Sequence, residues 1–152
     1  MKYLVLAATV VFGLATLPAT AAFAAESVDD QISYALAAVP GGTQTAWNQV
    51  TWPDGTTFIA EDTDGSPTPA AATNCSSGKF CAHSEIHGAG SRLEFSTCPS
   101  TNGVSALPRV RSVSNARTSG TVTGLNGTTI IVTVAPATTK NVTKTINKVN
   151  CA

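Results

Sequence analysis

Four cysteines constrain this chain more than any other feature: Cys75, Cys81, Cys98 and Cys151 all lie beyond residue 74 of a 152-residue sequence. A small, even set of cysteines becomes a disulfide framework wherever the compartment is oxidising. The N-terminus indicates that compartment. Met1-Lys2 supplies one positive charge, and the following "YLVLAATVVFGLATLPATAAFAA" is uncharged as far as Glu26 and ends on small residues. This is the pattern of a secretory signal peptide over residues 1–25. Beyond Ala25 no apolar run is long enough to span a bilayer, so the sequence predicts a secreted, extracellular chain with no membrane attachment after signal cleavage. Four thiols allow three connectivities. The favoured pairing joins Cys75 to Cys81 around Ser76-Ser77-Gly78 and Cys98 to Cys151, which would tie the chain end to the middle of the domain. The paired C-x2-4-C spacing of a structural zinc site is absent.

The formal charge is balanced, but the charges are segregated: seven acids and no Lys or Arg occur between Glu26 and Asp64, against eight basic residues and two acids from Gly65 onward. This predicts an acidic front packed beside a basic back. No block is dense enough in Lys or Arg to point to nucleic acid.

In "SVDDQISYALAAVPGG" Ser27 can cap a helix, Asp29 and Asp30 suit its first turn, and Val28, Ile32, Leu36 and Val39 follow helical spacing until Pro40-Gly41-Gly42 ends it. The period then changes to two. "WNQVTW" and "TTFIAED" flank the turn residues Pro53-Asp54-Gly55, so residues 46–61 read as a hairpin, followed by a Pro-rich linker over 62–74. From Gly78 short strands alternate with turns: "KFCAHS", "SRLEFSTC", "RVRSVSNA", "SGTVTG", "TTIIVTVA" and "NVTKTINKV". Asn126-Gly127 marks the clearest hairpin, and Leu93 and Phe95 alternate with Arg92 and Glu94, which places one apolar face on the core. The fold class expected is all-β, a sandwich or barrel. The organisation expected is a leader over 1–25, a helix, hairpin and linker over 26–73, and a β-domain over 74–152.

At "NCSSGKFCAHSEIHGAGSRLEFSTC" the sequence resembles the secreted actinobacterial peptidase inhibitor family typified by the Streptomyces metalloproteinase inhibitor. The matching features are C-x-x-G-x-x-C at Cys75 to Cys81, then a polar turn with glycines, then an alternating strand. The resemblance implies a βγ-crystallin-like Greek-key sandwich, here with a short N-terminal helix and hairpin extension. It also implies a protein inhibitor of an extracellular metalloprotease that needs no cofactor. The family's hairpin signature carries over onto His83, Gly90 six intervening residues later, and Ser112, which would close over the folded hairpin. His83 stands in place of an aromatic, and Gly88 where a second aromatic often packs. Leu107 to Ser112 lacks the paired Asp or Asn of calcium-binding relatives, and no downstream C-x4-C occurs. No inhibitory bond is therefore carried over. "CPSTNGVSALP", 98–108, is the long polar loop to test first. A second class of function is a non-inhibitory secreted β-module that binds cell envelope or a protein partner, or serves as an assembly component.

The two histidines bracket a glutamate as His83-x-Glu85-x-His87, and in an extended strand all three would face one side, as a zinc site requires. Gly88 and Gly90 interrupt any such strand, and the order is not His-Glu-x-x-His. The reading favoured is that His83 fills the aromatic's place and His87 is a solvated turn residue. No Gly-x-Ser-x-Gly occurs and the cysteines are expected to be bridged, so neither a catalytic residue nor a metal ligand is assigned.

Overall fold

The computed structural model describes residues 27–62 and 74–152; the leader expected over 1–25 and most of the linker lie outside the described residues. Helix α1 (Val28–Ala38) begins where Ser27 Oγ accepts the Asp30 N–H at 3.2 Å, with Asp29 and Asp30 in the positive first turn. It buries Ile32 and Ala35 and lays Val28, Leu36 and Val39 against the core. Gly41, at φ 92°, turns the chain out of the helix.

Among the described residues eleven strands form two antiparallel sheets, and with one short α-helix they make the all-β sandwich expected. The first sheet runs β1 (Thr43–Ala46), β2 (Gln49–Thr51), β3 (Thr57–Ile59), β5 (Arg92–Phe95), β4 (Phe80–His83), β7 (Ser112–Asn115) and β10 (Thr138–Asn141). The second runs β6 (Ser100–Gly103), β11 (Lys148–Cys151), β8 (Val122–Asn126) and β9 (Thr129–Val134). The β2–β3 hairpin turns at Gly55, φ 84°, and the β8–β9 hairpin at Gly127, φ 61°.

Three sequence expectations are corrected. Residues 46 and 47 do not open the first hairpin: Trp47-Asn48 is itself a turn, and an extra strand, β1, precedes it. The stretch 98–108 is not an open loop, because its unpaired backbone finds a ladder as β6 on β11, while Val104, Ala106 and Leu107 enter the core. "NVTKTINKV" is not one strand but the connection from β10 to β11, with Val142 and Ile146 buried in it.

Both sheets feed one apolar cluster, with Phe80, Ala82, Leu93, Phe95 and Val113 from the first and Val122, Val134, Val149 and Cys151 from the second. The Phe80 and Phe95 rings stack at 5.2 Å. Each of the Phe, Leu and Val side chains among them contributes roughly 1.5–3 kcal/mol by leaving water. The front segment is part of this body: β3 pairs with β5, and Ser91 Oγ donates to Gln31 Oε1 and accepts from Glu61 N at 2.9 Å. Glu85 and Glu94, the two acids of the second half, are each held by two basic side chains.

Candidate functional site

Strand register places two kinds of surface on the two sides of the first sheet. Ala82 opposes Leu93 and Val113, facing the core, whereas Cys81 opposes Glu94 and Ser114, and His83 opposes Arg92 and Ser112. The second side is polar yet buried, because two loops cover it. One is the cystine loop before β4; the other is the folded segment 84–91 between β4 and β5.

The folded segment contains Gly90 and lies between His83 and Ser112, the positions expected as a hairpin signature. Ser84 N donates to Ser91 O at 2.9 Å, and a short 3-10 turn, Ile86–Gly88, holds His87 at φ 60°. Gly90 has φ 79°, and a Cβ there would stand 2.3 Å from Ser84 Oγ, so a side chain is excluded both by conformation and by space. Ser112, on the neighbouring strand β7, closes the fold: its Oγ donates to Glu85 O at 2.6 Å and accepts from Gly88 N at 2.9 Å. His87 is exposed, and its N–H donates to Asn141 Oδ1 at 2.8 Å.

His83 lies beneath this segment with no exposed surface. Its Nε2 is 2.8 Å from Ser114 Oγ, which in turn meets Thr139 Oγ1 at 2.8 Å, while Nδ1 has no partner among the described residues. Burial, reinforced by the Arg92 charge and only partly opposed by Glu94, lowers its pKa from 6.5 to about 4. The ring is therefore neutral near pH 7. A His–Ser pair at this distance has the geometry of a base and nucleophile, but both residues are fully buried, so no substrate carbonyl can approach Ser114.

Glu94 anchors the other half of the polar face. Burial pushes its carboxyl up, but hydrogen bonds from Lys79, Arg92 and Ser76 outweigh this and hold it below the usual range. Lys79 Nζ and Arg92 Nε each reach it at 2.9 Å, and Ser76 Oγ at 2.9 and 3.0 Å. Ser76 and Lys79 belong to the loop closed by the Cys75–Cys81 disulfide, so the cystine fixes the groups that neutralise the buried charge. Cys98 is bonded to Cys151, which locks the start of β6 to the end of β11.

The His83-x-Glu85-x-His87 pattern is not assembled as a cage. His83 is inside the sheet face, His87 is outside, and Glu85 carries Arg111 Nη1 at 2.7 Å together with Arg109. Among the described residues no three His, Cys, Asp or Glu side chains converge as a metal site needs. Arg109 and Arg111 lie on the connection before β7. They edge a groove of about 800 Å³ between the connections 104–111 and 141–147, floored by Val104, Val142 and Ile146.

Sequence reasoning missed two members of the polar face and one surface feature. Ser114 could have been found from its spacing, since Ser112-x-Ser114 puts both on the face of His83. Glu94 could have been found as one of only two acids after Gly65. Trp47 is the most exposed large apolar side chain among the described residues and was taken for a strand residue.

No curated protein and no solved structure matches the chain. A family model does match, over the stretch that runs from the Pro-rich segment through the cystine loop, the folded segment and β7 into the β8–β9 hairpin. It includes Cys75, Cys81, His83, Gly90, Cys98 and Ser112. Over residues 68–130 the chain is matched by peptidase inhibitor family I36, in agreement with the family that its sequence resembles.

Proposed function

We propose that this protein is a secreted inhibitor of an extracellular peptidase of the metallopeptidase class, acting without a cofactor as a rigid, disulfide-tied wedge. The observation that carries the reading is the match of residues 68–130 to peptidase inhibitor family I36. The architecture supports it. An inhibitor gripped by a peptidase must lose little entropy on binding and must resist local opening, and preorganisation supplies both. Here two disulfides, one shared core and a sealed polar face keep the framework from rearranging. In this reading residues 74–152 form the crystallin-like inhibitor domain with its hairpin signature at His83, Gly90 and Ser112, and residues 26–73 an N-terminal extension whose strands complete the first sheet. Secretion rests on the apolar leader, and the metallopeptidase class on the resemblance.

The test is a titration of the oxidised chain, freed of its leader, into a thermolysin-like metallopeptidase and a subtilisin-like serine peptidase. The metallopeptidase should lose activity to a stoichiometric end-point, with weaker effect on the serine enzyme. Full activity of both enzymes in excess inhibitor would refute the proposal.

A further inference from the structure

An inhibitor needs a convex feature that enters a concave cleft, and the stretch 98–108 is less suited to that role because Val104, Ala106 and Leu107 are buried and Cys98 is tied back to Cys151. The front hairpin has the required form. We infer that the β1–β2 hairpin, with Trp47 at its tip, is the element that enters the substrate cleft of the peptidase. The inference rests on the inhibitor reading above and names its contact surface.

Three observations carry it. Trp47 is 63% exposed at a two-residue turn, whereas Trp52 at the other end of β2 is buried with its Nε1 donating to Val39 O at 2.9 Å. Tryptophan buried in a partner's pocket is among the side chains most enriched at interface hot spots. Secondly, β1 ends the seven-stranded sheet and all four of its residues are exposed, so among the described residues one side of its backbone has no ladder partner. Peptidase clefts take polypeptide in extended form, through backbone hydrogen bonds and side-chain subsites, and an open strand edge offers both. Thirdly, no charged side chain occurs between Asp30 and Asp54. Sheet edges are ordinarily guarded by charge, and this one can enter a cleft without stripping water from an ion.

The hairpin is also held in shape before it meets a partner. Asn48 O accepts from Ala60 N at 2.8 Å and Asn48 Nδ2 donates to Ala60 O at 3.3 Å, which fixes the turn to the strand beyond β2. Gly42 lies so close to Val50 and Trp52 that a Cβ would approach them to 2.6 and 2.8 Å, pinning the base of β1.

The experiment compares inhibition constants of the wild-type chain, Trp47→Ala, Trp47→Phe and Ile130→Ala, the last removing a side chain 60% exposed on the far edge strand β9. Thermal unfolding confirms that each variant folds, and gel filtration gives its oligomeric state. Trp47→Ala should weaken inhibition by about 30-fold or more, Trp47→Phe by less, and Ile130→Ala not at all. If the wild-type chain inhibits but folded Trp47→Ala inhibits equally well, the contact surface is elsewhere and this inference falls while the inhibitor reading stands. If the wild-type chain is a dimer that Trp47→Ala dissociates without loss of inhibition, the hairpin binds a second copy and the inference falls. If the wild-type chain inhibits neither enzyme, the underlying reading falls first, and the inference with it.

Discussion

Acidification from about pH 7 to about pH 5 should destabilise the fold by roughly 2 kcal/mol through His83 alone. The folded-state pKa of this residue is lowered from 6.5 to about 4, so in this window the unfolded chain binds a proton that the folded chain refuses. The cause is structural. Charging the ring would make both nitrogens donors, and Nδ1 faces no acceptor among the described residues, in a position with no exposed surface and with Arg92 nearby. Stability is therefore complete above the unfolded pKa, falls as pH drops below it, and levels off below the folded pKa. The full loss at the lower plateau is about 3 kcal/mol. Glu94, whose folded pKa is lowered, has the same sign but acts at lower pH: its contribution is present above the ordinary carboxylate range and disappears as pH falls through the folded value. The assay is urea unfolding at several pH values, followed by the fluorescence of buried Trp52. The midpoint should drop by about 1 M urea between the two conditions, given a slope of roughly 2 kcal/mol per molar for a domain of this size. His83→Gln keeps a polar group within reach of Ser114 and cannot titrate, so its midpoint should be nearly flat over the same interval. A wild-type midpoint that does not move, or a variant that keeps the wild-type slope, would refute the assignment of this window to His83.

Three further outcomes follow from the same face and its covers. Glu94→Ala leaves Lys79 and Arg92 without their shared carboxylate; because their side chains are 34% and 22% exposed, water relieves part of the loss, and chemical denaturation should show about 2–3 kcal/mol of destabilisation. Replacing Cys98 and Cys151 by serine opens a closure with a sequence separation of 53, and should cost about 4 kcal/mol, against about 2 kcal/mol for the Cys75–Cys81 pair with a separation of 6, measured as the difference in unfolding free energy. Ser112→Ala removes the hydroxyl that bridges Glu85 O and Gly88 N, and should cost about 1–3 kcal/mol while raising amide exchange at residue 88 more than in the β8–β9 hairpin.

Much of the sandwich is legible in the sequence because its signals are local. Helix α1 announces itself by Ser27, two aspartates and helical spacing, and the β8–β9 hairpin by Asn126-Gly127 between β-branched runs. Strand β1 and the turn at Trp47 were missed for an equally local reason: Trp47-Asn48 contains neither glycine nor proline, so nothing punctuates "TQTAWNQVT". Strand β6 was missed because "STNG" has the composition of a loop and becomes a strand only through β11, about 50 residues away in the chain.

The candidate site was partly legible for a different reason. Period-two alternation tells which residues share a face, and it correctly sets Leu93 and Phe95 apart from Arg92 and Glu94. It cannot tell whether the polar face meets water, since that depends on what lies over it. Here the cystine loop brings Ser76 and Lys79 over Glu94, and the folded segment brings Gly88 and Glu85 over Ser112, with His83 sealed between them. A histidine at position 83, where the resemblance leads one to expect an aromatic, fits that enclosure. An indifferent apolar ring would fill the volume but would leave Ser114 Oγ with Thr139 as its one side-chain hydrogen-bond partner among the described residues, whereas His83 bonds to the hydroxyl and remains neutral because the site is closed. The residue that looked like one arm of a metal site is thus a packing element with a hydrogen bond, and its titration reports whether the cover above it is shut.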